Sequence, residues 1–536
     1  MLKVAIAQIN VVVGAIEANT DLIIKYCIEA YTQQQCDLIV FPELVLTGYP
    51  PEDLLFRPEL VPRIEKALTR IQSTVRNIDI LLGTPQLINS KMYNSAVWIH
   101  EGNIINITNK MHLPNYSVFD EKRYFNAGTE FDIVTIKDIP VGILICEDIW
   151  YEQPVLDLKS KGAKLIININ ASPFHIDKQI EREQLVLEHV AKVKIPIIYL
   201  NLVGGQDELV FDGGSFVVSA DKKINYVAAE FQENLYYCDF EEKANRLETI
   251  AKSSYARLDT VAVVYQALVV GVRDYIVKNG FEGVILGLSG GIDSALTLTI
   301  VADAIGSNNV EAVMMPFTYT AKMSIDDAQQ EAESLGVEYK VIEINQAYNA
   351  FIELLTDDFA GTQVDTAEQN LQARCRGVLL MAISNKKKKL VVTTGNKSEM
   401  AVGYATLYGD MAGGFGALKD VPKTLVYQLA RYRNTISNVI PERVIERAPS
   451  AELAPNQQDS DSLPDYDTLD KIIELYVEQD MGLNEIVSSG IAKETVVKII
   501  KMIEQNEHKR RQAAPGVRIS RRSFSRDRRY PITSGF

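Results

Sequence analysis

The stretch ILGLSGGIDSALT, Ile285 to Thr297, runs from an apolar segment through a glycine pair into a helical pattern. A strand that turns on glycine into a helix collects backbone N–H groups and the positive end of the helix dipole at one point, which suits a phosphate. A Walker loop would continue with lysine, but Gly290 and Gly291 are followed by Ile292, Asp293 and Ser294, so a GTPase-type or kinase-type loop is disfavoured. The plain alternative is a glycine turn that merely opens a helix.

Working outward, GVILGL, DSALTLTIVADAIG, VEAVMMPF, SIDDAQQEAESLG and YKVIEI alternate strand and helix patterns. Alternation at these lengths implies parallel pairing and right-handed crossovers, a Rossmann-like doubly wound sheet that binds ligands beyond the carboxyl ends of its strands. From Met1 to about Phe240, KVAIAQI, CDLIVF, IDILLGTP, SAVWIH, PVGILIC, AKLIININ and IPIIYLNLV read as buried strands, with EANTDLIIKYCIEAYTQQ an amphipathic helix among them. The charged stretch CDFEEKANRLETIAKSS, Cys238–Ser254, reads as the linker, and the expected domains are residues 1–245 and 246–536.

At 536 residues with a formal charge of −15, the chain is long enough for two domains and a poor fit to nucleic acid. Five scattered cysteines without a C-x-x-C pair point to a reducing, cytoplasmic setting. No run of eighteen apolar residues occurs, so no membrane partner is expected, and the five histidines are not spaced as a metal cage. KKKK, Lys386–Lys389, reads as a solvated helix end without function.

The hexapeptide Ser289–Ser294 resembles the pyrophosphate loop of the ATP pyrophosphatase superfamily, whose members split ATP between the α and β phosphates and adenylate a substrate. DTAEQNLQARCRG puts Glu368, Gln372 and Arg376 on one helix face, with Asn370 and Arg374 likewise paired. LVVTTGNKSEMAVGYATLYGDMAGGFGALKDVPKT is a strand and a polar, glycine-rich loop, and LAPNQQDSDSLPDYDTLD and HKRRQAAPGVRISRRSFSRDRRYP follow. Together these segments are similar to the NAD synthetases over the whole C-terminal half. The resemblance implies that ATP adenylates the nicotinate carboxylate of deamido-NAD and that ammonia displaces AMP. By motif position it implies ATP contacts at Gly287, Leu288, Ser289, Gly290, Gly291, Ile292, Asp293, Ser294 and Thr394. It implies deamido-NAD contacts at Asn370, Glu399 and Lys509, and Mg2+ contacts at Asp293 and Glu399. Asp410 and Lys423 are further candidates, and the arginine-rich tail is read as clamping the dinucleotide's phosphates. No prosthetic group is expected.

In the N-terminal half, VGILICEDIW ends a buried strand at Cys146, LIVFPELVLTGYP places Glu43 past another, and TNKMHLPNY places Lys110 in a polar turn. A cysteine ending an apolar strand is, by itself, more often a small core residue. Glu, Lys and Cys in this order resemble the nitrilase superfamily, whose catalytic set is this trio. Residue by residue, Cys146 suits a nucleophile, Glu43 a general base, and Lys110 an oxyanion partner that favours the thiolate. Within the glutamine-dependent NAD synthetases, GGQDELVFDGGSF matches a late nitrilase segment, and Tyr116, Ser172 and Lys178 match glutamine-binding positions. The resemblance implies an αββα sandwich, a glutaminase that supplies the ammonia, ATP, deamido-NAD and glutamine as small-molecule partners, and a homo-oligomer. Two rivals stand beside this reading: an amidotransferase of the same class acting on another carboxylate, and a binding protein whose nitrilase-like half has lost catalysis.

Overall fold

The computed structural model describes residues 1–243, 246–251, 254–450, 452–454, 459 and 463–535. The chain divides into two compact units, Met1–Asp259 and Thr260–Phe536.

The first unit begins with β1 (Leu2–Gln8), α1 (Ile16–Gln34), β2 (Leu38–Val40), α2 (Leu60–Thr74), β3 (Asp79–Ile88), β4 (Lys91–His100) and β5 (Asn103–Asn109). There follow β6 (Ile133–Ile136), β7 (Ile139–Ile145), α3 (Glu152–Ser160), β8 (Leu165–Asn170), α4 (Lys178–Val193) and β9 (Ile197–Asn201). A hairpin β10 (Val203–Gln206) and β11 (Leu209–Asp212) precedes β12 (Phe216–Val218), β13 (Ile224–Val227), β14 (Asn234–Lys243) and β15 (Arg246–Ala251). One sheet runs β15-β14-β1-β2-β3-β4-β5 and the other β13-β12-β9-β8-β7-β6.

Why the strands read as nearly continuous apolar runs is visible in their alternation. Leu2, Val4 and Ile6 of β1 join Val141, Ile143 and Ile145 of β7 and Leu165, Ile167 and Ile169 of β8 in a core between the sheets. Ala5, Ala7 and Ile39 face the other way, under α1 and α2, while Leu144 and Ile166 lie under α3 and α4. A period-two strand buried on both faces needs apolar residues at every position. The layers are helix, sheet, sheet and helix, as the αββα expectation required.

The stretch 238–254 is no linker in its first part. β14 and β15 pair antiparallel from Cys238↔Ala251 to Lys243↔Arg246 and complete the first sheet. The charged residues that suggested a linker belong to an exposed hairpin, whose apolar positions Cys238, Phe240 and Leu247 still reach the core. The compact unit therefore extends to Asp259, past the expected division at 245/246, which itself falls beside Asn245, outside the described residues.

The second unit opens with α5 (Thr260–Lys278), β16 (Val284–Gly287), α6 (Ile292–Ile305), β17 (Val310–Met314), α7 (Lys322–Leu335) and β18 (Glu338–Val341). It continues with α8 (Asn345–Leu354), α9 (Thr366–Lys387), β19 (Leu390–Thr393), α10 (Lys397–Val402), β20 (Phe415–Gly416) and α11 (Lys423–Ile436). The sheet order is β18-β17-β16-β19-β20, with all pairs parallel. The direction of winding reverses between β16 and β19, which makes their carboxyl ends the ligand position of such a sheet. Helix α5 is long and apolar enough to cross a membrane, and 61% of its apolar window is buried inside the protein. Its Tyr265 hydroxyl donates to Asp303 of α6 at 2.6 Å, and Arg433 of α11 holds the same carboxylate at 2.7 Å.

The tetralysine differs from the expectation of a solvated end. Lys387 and Lys389 lie 2.5 and 3.4 Å from Glu311 on β17, whose side chain is fully buried, and Lys340 approaches it at 2.7 Å. A carboxylate in the middle of a sheet requires cations nearby, and the lysine run supplies two of them.

Candidate active sites

In the first unit, Cys146 closes β7 with φ +46° and opens a short 3-10 turn, Cys146–Trp150. A left-handed backbone at a non-glycine residue stores strain and is typical of a nucleophile held out of the regular ladder. Asp148 fixes the turn. Its carboxylate accepts from Ile145 N at 3.2 Å and from Met111 N and His112 N at 3.1 and 2.8 Å, which ties the cysteine turn to the loop after Lys110.

Lys110 and Glu43 are fully buried. Lys110 Nζ donates to Glu43 Oε1 at 2.7 Å and to Glu121 Oε1 at 2.8 Å. Glu43 Oε1 also accepts from Asn94 Nδ2 at 2.7 Å, its Oε2 accepts from Ala171 N at 2.9 Å, and Tyr49 OH donates to Glu121 at 2.8 Å. The charges of Glu43 and Lys110 both act on the buried Cys146, so the three candidates expected from sequence are brought together. Glu121 is a fourth member that sequence reasoning missed; it lies in no motif, and proximity alone reveals it.

The charges decide the resting state. Burial alone would lower the pKa of Lys110, but Glu121 and Glu43 outweigh it and hold the ammonium firmly charged. Burial, with repulsion from Glu43, pushes Glu121 up to about 7 despite Lys110. Burial first and Glu43 second push the Cys146 thiol well up, and Lys110 offsets them only in part. Lys110 thus acts in the direction expected of it, favouring the thiolate, but burial and the Glu43 carboxylate outweigh it, so the attack calls for a base beside the sulfur.

At the mouth, Tyr116 is 56% exposed and its hydroxyl donates to Glu147 at 3.0 Å. Glu147 follows the nucleophile directly, and burial raises its carboxyl pKa while Tyr116 and the charges of Lys110 and Lys178 lower it. Lys178 Nζ sits 3.8 Å above the Trp150 ring and 3.4 Å from Glu181. Ser172 is buried and accepts from Arg182, which also holds Asp212 at 2.7 and 2.8 Å. Glu147 and Arg182 are additional residues that no motif flagged.

In the second unit a cavity of about 280 Å³ opens at the ends of β16 and β19. Gly287, Leu288, Ser289, Gly291, Ile292, Asp293, Ser294, Thr394 and Glu399 all line it, as do Asp410 and Lys423. Gly290 does not. Its φ is +79°, a Cβ there would lie 2.2 Å from the Ser324 carbonyl, and its own carbonyl accepts from Arg447 at 3.0 Å, so it shapes the loop from behind. Ser294 Oγ donates to Gly291 O at 2.9 Å and lies 3.1 Å from Ser289 Oγ, so the loop's hydroxyls hold it preformed.

Asp293 accepts from Asn396 Nδ2 at 2.9 Å and pairs with Lys423, which lies 3.7 Å from Glu399. Burial, then repulsion from Asp293, pushes Glu399 up to about 8. Burial likewise carries Asp410 up to about 6. Asn370 of α9 and Lys509 of the short helix Glu507–Arg510 stand outside the cavity wall and hold the loop after α10. Asn370 accepts from Thr406 at 2.8 Å, Asp410 accepts from Thr406 N at 2.6 Å, and Lys509 donates to Gly403 O and Ala405 O at 2.7 and 3.0 Å. Glu368 caps α9 by accepting from Asp365 N at 2.8 Å, Gln372 donates to Leu453 O, and Arg376 reaches the cavity. Residues 455–458 and 460–462 of the LAPNQQDSDSLPDYDTLD segment lie outside the described residues.

The arginine-rich tail differs from the phosphate clamp expected. Arg510, Arg518 and Arg528 are buried. Arg510 donates to Ala401 O at 2.7 Å, Arg518 to Asp527 at 2.9 Å, and Arg528 to Glu504 and Glu507 at 2.9 and 3.1 Å. These guanidinium groups are spent on internal carboxylates and carbonyls.

Both units are matched by known families. Residues 264–513 fit the NAD synthase family and residues 3–245 the carbon-nitrogen hydrolase family. A glutamine-dependent NAD(+) synthetase of Acinetobacter baylyi is 48% identical over 100% of this chain and 98% of its own. The chain belongs to the glutamine-dependent NAD(+) synthetases. A relative of that name from Thermotoga maritima is 42% identical over 100% of this chain and 99% of its own. Among solved structures, the glutamine-dependent NAD+ synthetase of Acinetobacter baumannii in complex with ADP superposes with a TM-score of 0.81 at 46% identity, covering 99% of this chain and 98% of its own.

Proposed function

We propose that the chain amidates deamido-NAD to NAD at the cost of ATP, with ammonia drawn from glutamine, as the last step of NAD biosynthesis. The observation that carries this is the pairing, in one chain, of the buried Glu43–Lys110–Cys146 set with the lysine-free loop that lines the cavity at β16.

In the first unit, residues 1–259, Cys146 Sγ attacks the carboxamide carbon while its proton passes to Glu43. Lys110 meets the developing oxyanion. The amino group leaves as ammonia on taking that proton, and water, activated by Glu43, then hydrolyses the thioester to glutamate. Glu147 and Lys178 offer opposite charges that match the ammonium and carboxylate of an amino acid. Tyr116 and Ser172 complete that pocket.

In the second unit, residues 260–536, the nicotinate carboxylate displaces pyrophosphate from the α phosphorus of ATP, and ammonia then displaces AMP. The loop Gly287–Ser294 and Thr394 hold the ATP phosphates, with N–H groups at the start of α6 facing the departing pyrophosphate. Asn370, Glu399 and Lys509 serve deamido-NAD, the first and last through the loop 403–410. Asp293 and Glu399 supply hard oxygens of the kind Mg2+ takes, and among the described residues no third acidic, histidine or cysteine side chain joins them. Mg2+, when bound with ATP, screens the phosphate charge. The five cysteines are all free, which supports a reducing compartment. A homo-oligomer is expected, and light scattering reads it directly.

The test is an assay of purified protein with Mg-ATP and deamido-NAD, with AMP, pyrophosphate and NAD quantified. One NAD and one AMP per glutamine consumed is expected. AMP release only with some other carboxylate as acceptor overturns the substrate.

A further inference from the structure

At the end of the first unit, the segment Tyr255–Leu258 is pinned to α4 and to Glu230 by an arginine that neither reaction uses. Arg257 pairs with Glu183 of α4 and lies 3.9 Å from Glu230. Leu258 N donates to Glu230 at 3.2 Å, Tyr255 N donates to Val227 O at 3.0 Å, and the Tyr255 ring meets Tyr236 edge-on at 5.7 Å. Glu183 also accepts from Gln179 at 3.0 Å, and Gln179 donates to Gly214 O at 3.1 Å and accepts from Arg182 at 3.1 Å. Gly214, with φ +59°, leaves room for the Arg257 guanidinium, which a Cβ would approach to 3.3 Å. Helix α4 also carries Lys178 at its first position and Arg182, which donates to Ser172 O at 2.7 Å. One polar network thus runs from Arg257 through Glu183, Gln179 and Arg182 to Ser172, on the helix that also carries Lys178.

We infer that Arg257 is a positioning residue for the glutaminase: by seating Glu183 and Glu230 it sets α4, so that Lys178 and Arg182 face the amino-acid end of glutamine. The inference rests on the assignment of Lys178 and Ser172 to glutamine. Arg257 touches neither substrate nor nucleophile, so its loss acts on binding more than on chemistry. The absence of a cation there leaves the half-buried Glu183 without its ion-pair partner and lets α4 shift.

The experiment measures glutamine-dependent and ammonium-dependent NAD formation for wild type, Arg257→Ala, Arg257→Lys, Glu230→Gln and Lys178→Ala. For Arg257→Ala, KM for glutamine is expected to rise about tenfold or more, with kcat changed less than about threefold. Arg257→Lys restores part of the affinity and Glu230→Gln repeats part of the defect. An unchanged ammonium-dependent rate reports that the second unit is folded, and a retained kcat with glutamine reports the same of the first. If Arg257→Ala keeps its KM within twofold while Lys178→Ala raises it, the positioning role is overturned and the pocket assignment stands. If both variants keep it, the pocket assignment itself fails and the inference with it.

Discussion

Around Cys146 the reactive groups satisfy one another in a fully buried cluster, whereas in the second unit similarly paired groups line an open cavity at β16. Lys110 is shared by Glu43 and Glu121 at 2.7 and 2.8 Å in a site without solvent. Asp293, Glu399, Asp410 and Lys423 instead line about 280 Å³. A covalent reaction on a small amide needs a preset charge balance, which burial makes strong and rigid. A site that must admit two nucleotides cannot be closed beforehand, and burial lifts its Glu399 and Asp410 carboxyls to about 8 and about 6.

The largest effect that would break this contrast is expected from Lys110→Met. It leaves Glu43 and Glu121 buried without their cation, so glutamine-dependent NAD formation should fall at least ~1000-fold. Stability should drop by about 3–5 kcal/mol in denaturant unfolding. A variant that folds as well as wild type would show that the buried pair is dispensable. Gly290→Ala comes next. A Cβ there would meet the Ser324 carbonyl at 2.2 Å with φ at +79°, so synthesis with either nitrogen source should fall about 100-fold. Glutaminase turnover should persist in that variant.

Glu121→Gln tests the fourth buried member. Turnover of glutamine should fall about tenfold to a hundredfold. Because burial lifts its folded pKa to about 7 from 4.5, the native state holds the proton more tightly than the unfolded chain. Its contribution is therefore most favourable below pH 4.5 and declines as pH rises to about 7. The glutamine variant should lack that decline in pH-dependent unfolding. Glu331 of α7 sharpens the comparison, since it is fully buried, has no partner on either oxygen among the described residues, and faces Asp327 rather than a lysine. Glu331→Leu should stabilise the protein by about 1–3 kcal/mol, with the gain growing as pH rises above 4.5. Smallest of all, Lys387→Ala removes one of three cations at Glu311 and should cost less than about 1 kcal/mol without altering either activity.

Much of this was legible in the sequence. The parallel sheet of the second unit followed from strict strand–helix alternation, and the glycine loop from its missing lysine. Cys146, Glu43 and Lys110 stood at strand ends where a resemblance could name them. What escaped was what depends on proximity. Glu121 lies in an unremarkable DEKR run and acquires its role only because Lys110 turns toward it. The arginine tail looked like a clamp because charge alone does not say what it pairs with. The interleaved acids Glu504, Glu507 and Asp527 were the available signal. Strands β14 and β15 hid behind surface charge, although Cys238, Phe240 and Leu247 kept the alternation of a strand.

The central claim is that two separable chemistries share this chain. The most direct measurement is NAD formation by wild type and Cys146→Ala with Mg-ATP and deamido-NAD, supplied with either glutamine or ammonium. Both nitrogen sources should serve the wild type, and ammonium alone should serve the variant at an undiminished rate. Glutamine-dependent synthesis by Cys146→Ala, or ammonium-dependent synthesis lost along with it, would contradict the account.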